Sequence, residues 1–304
     1  MRLQVHARLP DGFRNATPND WSRVRRGRPD CDCFLEGPCF DRDGRLWCVD
    51  ISNGRLLTLD PAGNWAVAFA YDGWPNGLKI GPDGTVLVAD NRLGILRFDP
   101  ASGARSVLAD RFRGDPLIGP NDLTLSRGGD IYFTDQGNSD LVRPYGRVLC
   151  LRRDGRLDLI ADGLPSPNGL VLSRDERLLY VAMTQANAIW RVVLGADGSP
   201  GKVGHFVQLS GSAGGGPDGL AIDAEDNLLV CHALAGHVLQ FSRLGEPLAR
   251  IATAEGLIPT NLAFGWPDPA MLVVTEAETA TIQALRLDTP GWLTHLQGGG
   301  DDRA

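Results

Sequence analysis

The stretch "NGLKIGPDGTVLVADNRLGILRFDP", residues 76–100, reads as three successive strands joined by tight turns. Leu78-Lys79-Ile80 alternates apolar and polar, "GPDG" at 81–84 is a turn, and "VLVA" at 86–89 is a continuous apolar run. Asp-Gly between two apolar runs is a strong short-range hairpin signal. "GILRFDP" at 94–100 supplies a third strand.

The same grammar recurs along the chain. Glu36 begins "EGPCFDRDGRLWCVD", Asn121 "NDLTLSRGGDIYFTD", Asn168 "NGLVLSRDERLLYVAM", Asp218 "DGLAIDAEDNLLVCH" and Thr260 "TNLAFGWPDPAMLVVTE". Successive starts are 40, 45, 47, 50 and 42 residues apart. Six units of three to four antiparallel strands at this period predict an all-β, six-bladed β-propeller. No stretch of helical period competes with it. The expectation is one domain over residues 1–304, with an N-terminal arm over about 1–30 and blades over about 31–290. The segment "LQVHARL" (3–9) is expected to pair with the last blade and close the ring, removing an open edge.

Composition limits the partners. The chain has 304 residues, 43% hydrophobic, with a net charge of −7 and a pI near 5.2. An acidic chain is a poor match to nucleic acid, whose phosphates need a basic face. "RVRRGR" at 23–28 is read as a solvated arm. No apolar run approaches the ~20 residues that span a bilayer. Residues 1–20 lack the continuous apolar core of a secretory leader, so a cytoplasmic location is expected, with the six cysteines reduced. "CDC" at 31–33 lacks the spacing and partner pair of a metal or redox motif.

In a propeller the first strand of each blade lines a central channel. The residues entering those strands, Glu36, Asn76, Asn121, Asn168, Asp218 and Thr260, therefore converge at one mouth. A second ring is expected fourteen residues later, at the ends of the second strands: Asp50, Asp90, Asp135 and His232, with Met183 or Thr184 and Glu276 as the looser members. Carboxylates and amide oxygens without thiolates suit a hard divalent cation, Ca²⁺ first, with Mg²⁺ or Mn²⁺ as alternatives. Asn and Asp also cap turns well, so a purely structural ring is the competing account. Trp74, just before Pro75, is a candidate for the pocket wall, and His232 for a general base or a substrate donor.

At these residues the sequence resembles the SMP-30/gluconolactonase/luciferin-regenerating-enzyme family. The resemblance rests on "LEGPCFDRDGRLWCVDISNGRLLTLDP", "GPNDLTLSRGGDIYFTDQG", "PYGRVLCLRRDG", "PSPNGLVLS" and "PDGLAIDAEDNLLV", which follow one another in the family's order. It implies one divalent cation at the channel mouth, held by Glu36, Asn168 and Asp218. Asn121 would join the metal or substrate site, with Asp135 near the metal. Zn²⁺ or Fe²⁺ would also suit such a site. The implied activity is hydrolysis of a lactone, a sugar lactone or a related cyclic ester, with a phosphotriester as an alternative substrate. A non-catalytic propeller that binds a metabolite or partner is the reading of a different class.

One position departs from the family pattern. An Arg that contacts the sugar in some members is replaced by Gly119 in "IGPND", and Arg143 is the nearest candidate to stand in for it. The expected chemistry is attack of water on the metal-polarised carbonyl. Asp218 is the first candidate to accept the proton and Asp135 the second. Asn121 and Asn76 would orient the substrate. No GxSxG elbow is present. The Gly-rich "LSGSAGGGPDG" (209–219) leads into a strand instead of a helix, so it is read as an inter-blade loop and not a phosphate cradle. Oligomeric state is left open by the sequence.

Overall fold

A computed structural model describes residues 1–26, 31–211 and 214–293, apart from the side chains of residues 25 and 26. Six four-stranded antiparallel sheets form the blades of a β-propeller. Blade one comprises Leu35–Phe40, Leu46–Asp50, Arg55–Leu59 and Trp65–Ala70. Blades two to five repeat this order, beginning with Pro75–Ile80, Pro120–Leu125, Pro167–Leu172 and Pro217–Ile222. Blade six contains Pro259–Phe264, Met271–Glu276 and Thr281–Arg286. Its fourth strand is Gln4–Arg8, which pairs antiparallel with Thr281–Arg286. The start of the chain thus closes the ring, as the sequence led us to expect.

The apolar runs follow from stacking. Each blade lies face to face with two neighbours, so its second strand is covered on both sides and reads as a continuous apolar run. Leu46–Asp50, Val86–Asp90 and Ile131–Asp135 are buried at every position. Among the described residues, one apolar cluster fills each gap between adjacent blades. Val49 and Leu56 meet Leu78, Val88 and Leu96 between blades one and two, and Val273 and Ile282 meet Leu35 and Leu57 where the ring closes.

The repeated motif is a bulge. In every blade the pairing of strand one with strand two shifts at the Pro-containing motif, for instance between Pro120 and Leu123 and between Pro167 and Leu170. A bulge re-aims one side chain relative to the ladder. The motif glycine has a separate cause. A Cβ on Gly77 would run into Asp122, and one on Gly219 into Asn261, because neighbouring inner strands touch at this level.

Two readings change. Asp20–Arg26 forms a short helix, α1, where the sequence analysis found none. Asn19 caps it, its Oδ1 accepting from Ser22 N at 2.8 Å. Trp21 is buried, so the segment is not simply a solvated arm. The side chains of residues 25–28, the basic half of "RVRRGR", lie outside the described residues.

Candidate functional site

The bulges of five blades aim their polar residues into one cavity of about 580 Å³ at the channel mouth. Glu36, Asn76, Asn121, Asn168 and Asp218 all line it. Thr260, aligned with them, does not. Its hydroxyl lies 2.8 Å from both Leu35 O and Thr275 Oγ1, buried in the ring seam. Gln136, Ser139, Ser166, Thr184, Asn91 and Asp140 add polar walls, and Trp21, Phe34 and Ile51 add an apolar one. No Lys, Arg or His is among the described lining residues.

Hydrogen bonds fix which end of each amide faces inward. Asn168 Nδ2 donates to Thr184 Oγ1 at 3.2 Å, and that hydroxyl donates in turn to Pro217 O at 2.8 Å. Asn121 Nδ2 donates to Gln136 Oε1 at 3.0 Å, while Gln136 Nε2 donates to Ser166 Oγ at 2.9 Å. With the NH₂ groups taken up by the scaffold, the amide oxygens are the ends left for the site. Asn76 Oδ1 and Asn121 Oδ1 are buried without a protein partner, a costly state unless something else satisfies them.

Glu36 sits at the base of the cavity, 3% exposed. Its Oε2 accepts from Gly37 N at 2.5 Å and from Asn261 Nδ2 at 2.9 Å. Burial, and then the neighbouring Asp122 carboxylate, raise its pKa to about 8. Asp122 and Asn261 occupy the position that is Gly in the other four blades. The two side chains meet, Asn261 Nδ2 donating to Asp122 Oδ2 at 3.2 Å, and neither was among the candidate residues. The signal was present: "PND" and "PTN" replace the Gly of "PNG" with a polar residue.

Apart from Thr184, the second ring does not reach the cavity. Asp50, Asp90, Asp135, His232 and Glu276 are all fully buried. They pin loops. Asp90 Oδ1 accepts from Arg92 N and Leu93 N, and Glu276 accepts from Ile258 N and Thr279 N. Asp135 was the second candidate for proton acceptor. Its Oδ1 accepts from Gly119 N at 2.8 Å and its Oδ2 is ion-paired with Arg147 at 2.7 Å, so it is committed to the scaffold. His232 was a candidate for substrate contact. It is enclosed between His237, 3.3 Å away, and Asn187, 2.9 Å away, and its pKa is lowered to about 4 by burial and then by His237. Trp74 packs in the cluster between blades one and two, with Arg92 over its ring, and not on the cavity wall. Arg143 is exposed, pairs with Asp140 and lies outside the lining. Of the looser members, Thr184 does line the site and Met183 does not.

The oxygen set fits a hard divalent cation. Two partnerless amide oxygens and a desolvated carboxylate are what such an ion would satisfy, and the lining offers no competing cationic side chain. Among the described residues there is no cluster of three or more His, Cys, Asp or Glu, at the cavity or elsewhere, so a cation here would rest on amide oxygens as well as carboxylates. All six cysteines are thiols and not disulfides, and burial pushes Cys150 up to about 12 and Cys231 well above its ordinary value, so both stay inert. No helix among the described residues is long and apolar enough to cross a membrane.

Comparison with known proteins shows the family and the fold. A family model described as the SMP-30/gluconolactonase/LRE-like region matches residues 34–278. A gluconolactonase of Zymomonas mobilis is 38% identical over 265 residues, covering 76% of this chain and 73% of that one. A gluconolactonase structure from Xanthomonas campestris superposes with a TM-score of 0.74 at 25% identity, covering 96% and 95% of the two chains. The fold is also that of a calcium-binding regucalcin from Agrobacterium tumefaciens, with a TM-score of 0.78, 23% identity and 96% and 97% coverage.

Proposed function

The chain belongs to the SMP-30/gluconolactonase/LRE-like family, and from that premise we propose that it is a divalent-cation-dependent lactone hydrolase. The observation that carries the proposal is the convergence of Glu36, Asn121, Asn168 and Asp218 on one cavity, with amide oxygens turned inward. Glu36, Asn168 and Asp218 would hold the cation, Ca²⁺ in the first instance, with Asn121 beside them. Bound there, the cation would supply Lewis-acid polarisation of the lactone carbonyl.

The chain's own residues account for the rest. Asp218 accepts a proton from water as its oxygen attacks the carbonyl carbon. As the acyl–oxygen bond breaks, the proton passes to the ring oxygen, which leaves as the alcohol of the hydroxy acid. Asp218 is assigned this role because its carboxylate lines the cavity together with Glu36 and Asn168, the residues that would hold the cation beside it. Asn76 presents Oδ1 to a donor on the substrate. Thr184, Gln136 and Ser166 hold the two other amides in orientation, as outer partners do at metal sites generally.

The test is proton release from a panel of γ- and δ-lactones, run beside Asp218→Asn with its melting curve recorded. The proposal requires turnover of at least one lactone, lost in the folded variant. A folded, cation-loaded protein that opens none of them rules the proposal out.

A further inference from the structure

We propose that the lactone this site accepts is neutral and carries an apolar substituent, seated on a wall of Trp21, Phe34 and Ile51; this rests on the lactonase reading above. Three observations lead to it. First, the cavity has two unlike sides. Trp21, Phe34 and Ile51 line one, while amides and hydroxyls from Gln136 to Gln185 line the other. The apolar side is built deliberately. The capped helix α1 carries Trp21 against Phe34, with ring centroids 5.0 Å apart and planes inclined at 56°, and Ile51 belongs to the same buried cluster.

Second, the charge at the mouth disfavours anions. Glu36 and Asp218 line the cavity together with Asp140, whose charge is paired with Arg143 at 3.3 Å. No Lys, Arg or His is among the described lining residues, so a phosphorylated or carboxylated lactone would find no cationic side chain to pair with there. Third, the rim continues the apolar character. Next to Asp140, Leu141 and Val142 are 64% and 87% exposed. Their loop is fixed, with Asp140 Oδ1 accepting from Val142 N at 2.9 Å and Arg143 N at 2.7 Å. Ile118 and Tyr145 flank Gly137 on the same rim. Trp21 is thus the specificity-determining residue, and the site prefers an alkyl- or aryl-substituted ring to a polyhydroxylated one.

The experiment is calorimetric binding of two ring-matched lactams, which are not hydrolysed, to the Ca²⁺-supplemented protein. One bears a phenyl group and the other hydroxyls. The phenyl lactam should bind more tightly, by about tenfold or more, the discrimination an apolar pocket gives for a missing apolar group. Trp21→Ala should lower its affinity by a similar factor and leave the hydroxylated lactam unchanged. Equal or tighter binding of the hydroxylated lactam to the unmodified protein overturns the inference, as does failure of both to bind. The hydrolysis panel is read separately. Phenyl-lactam preference without lactone turnover defeats the lactonase reading and leaves the ligand class standing. Turnover restricted to polyhydroxylated lactones does the reverse.

Discussion

Asn261 stands 225 residues from Glu36 in the chain, and its amide donates to Glu36 Oε2 at 2.9 Å and to Asp122 Oδ2 at 3.2 Å. One NH₂ group therefore holds two buried carboxylates from different blades at the top of the channel. Gly219 packs against the other side of the same residue, its Oδ1, Cγ and Cα.

Replacing Asn261 with Leu leaves both carboxylates without that donor. Hydrogen bonds to charged groups are worth about 1.5–3 kcal/mol, so the variant should lose roughly that much stability in urea. Its affinity for divalent cations should also fall, because Glu36 is no longer fixed. Wild-type stability with wild-type cation affinity in calorimetry would show that this contact is incidental.

The raised pKa of Glu36 makes the cation-free protein pH-dependent. Below its ordinary value of 4.5 the carboxyl is protonated folded or unfolded and contributes nothing. Between 4.5 and about 8 only the folded state keeps the proton, so stability falls as pH rises, and above about 8 the full penalty remains. Chelated protein should therefore melt lower at pH 8 than at pH 5. Glu36→Gln should flatten that slope, and a cation should bind more tightly as pH rises through this window, releasing a proton. A cation-free melting temperature indifferent to Glu36→Gln at every pH contradicts this.

Asp218 and Asp135 should separate cleanly. Asp218→Asn removes the proton acceptor and should lower kcat by about 10²–10⁴-fold with the fold intact. Asp135→Asn strands the Arg147 guanidinium, and losing one partner of a buried pair costs about 3–5 kcal/mol. That variant should melt early yet keep its rate per folded molecule. A rate loss in Asp135→Asn as large as in Asp218→Asn would return Asp135 to the chemistry.

Gly77→Ala tests the close approach of the inner strands. A methyl group there meets Asp122 on the next blade, and overpacking of this kind costs about 1–3 kcal/mol. Denaturation in urea reads the loss. No change would mean that blades two and three have room to separate.

The propeller was legible because its determinants are local and repeated: an apolar strand, an Asp-Gly turn and a fixed spacing, six times over. The first ring was legible for the same reason in five of its six positions, while Thr260 turns into the seam between blades instead. The second ring was misread because spacing places a residue on a strand but does not say whether its side chain faces the channel or the neighbouring loop. Asp50, Asp135 and Glu276 satisfy backbone N–H groups of the preceding loops, and Asp90 those of the loop that follows it, which no sequence period encodes. Trp21 was missed because α1 is too short for a helical period, although Asn19 offered a cap signal. Asp122 and Asn261 were hidden in plain view, as exceptions to a motif whose regularity drew attention to the residue before them.

The most direct test of the central claim is lactone hydrolysis by chelator-stripped protein, assayed before and after adding back one equivalent of Ca²⁺, with the fold followed by circular dichroism throughout. The account predicts a folded protein without activity that regains it with the cation, and no recovery in Asn168→Ala. Full activity in the stripped, folded protein would contradict it.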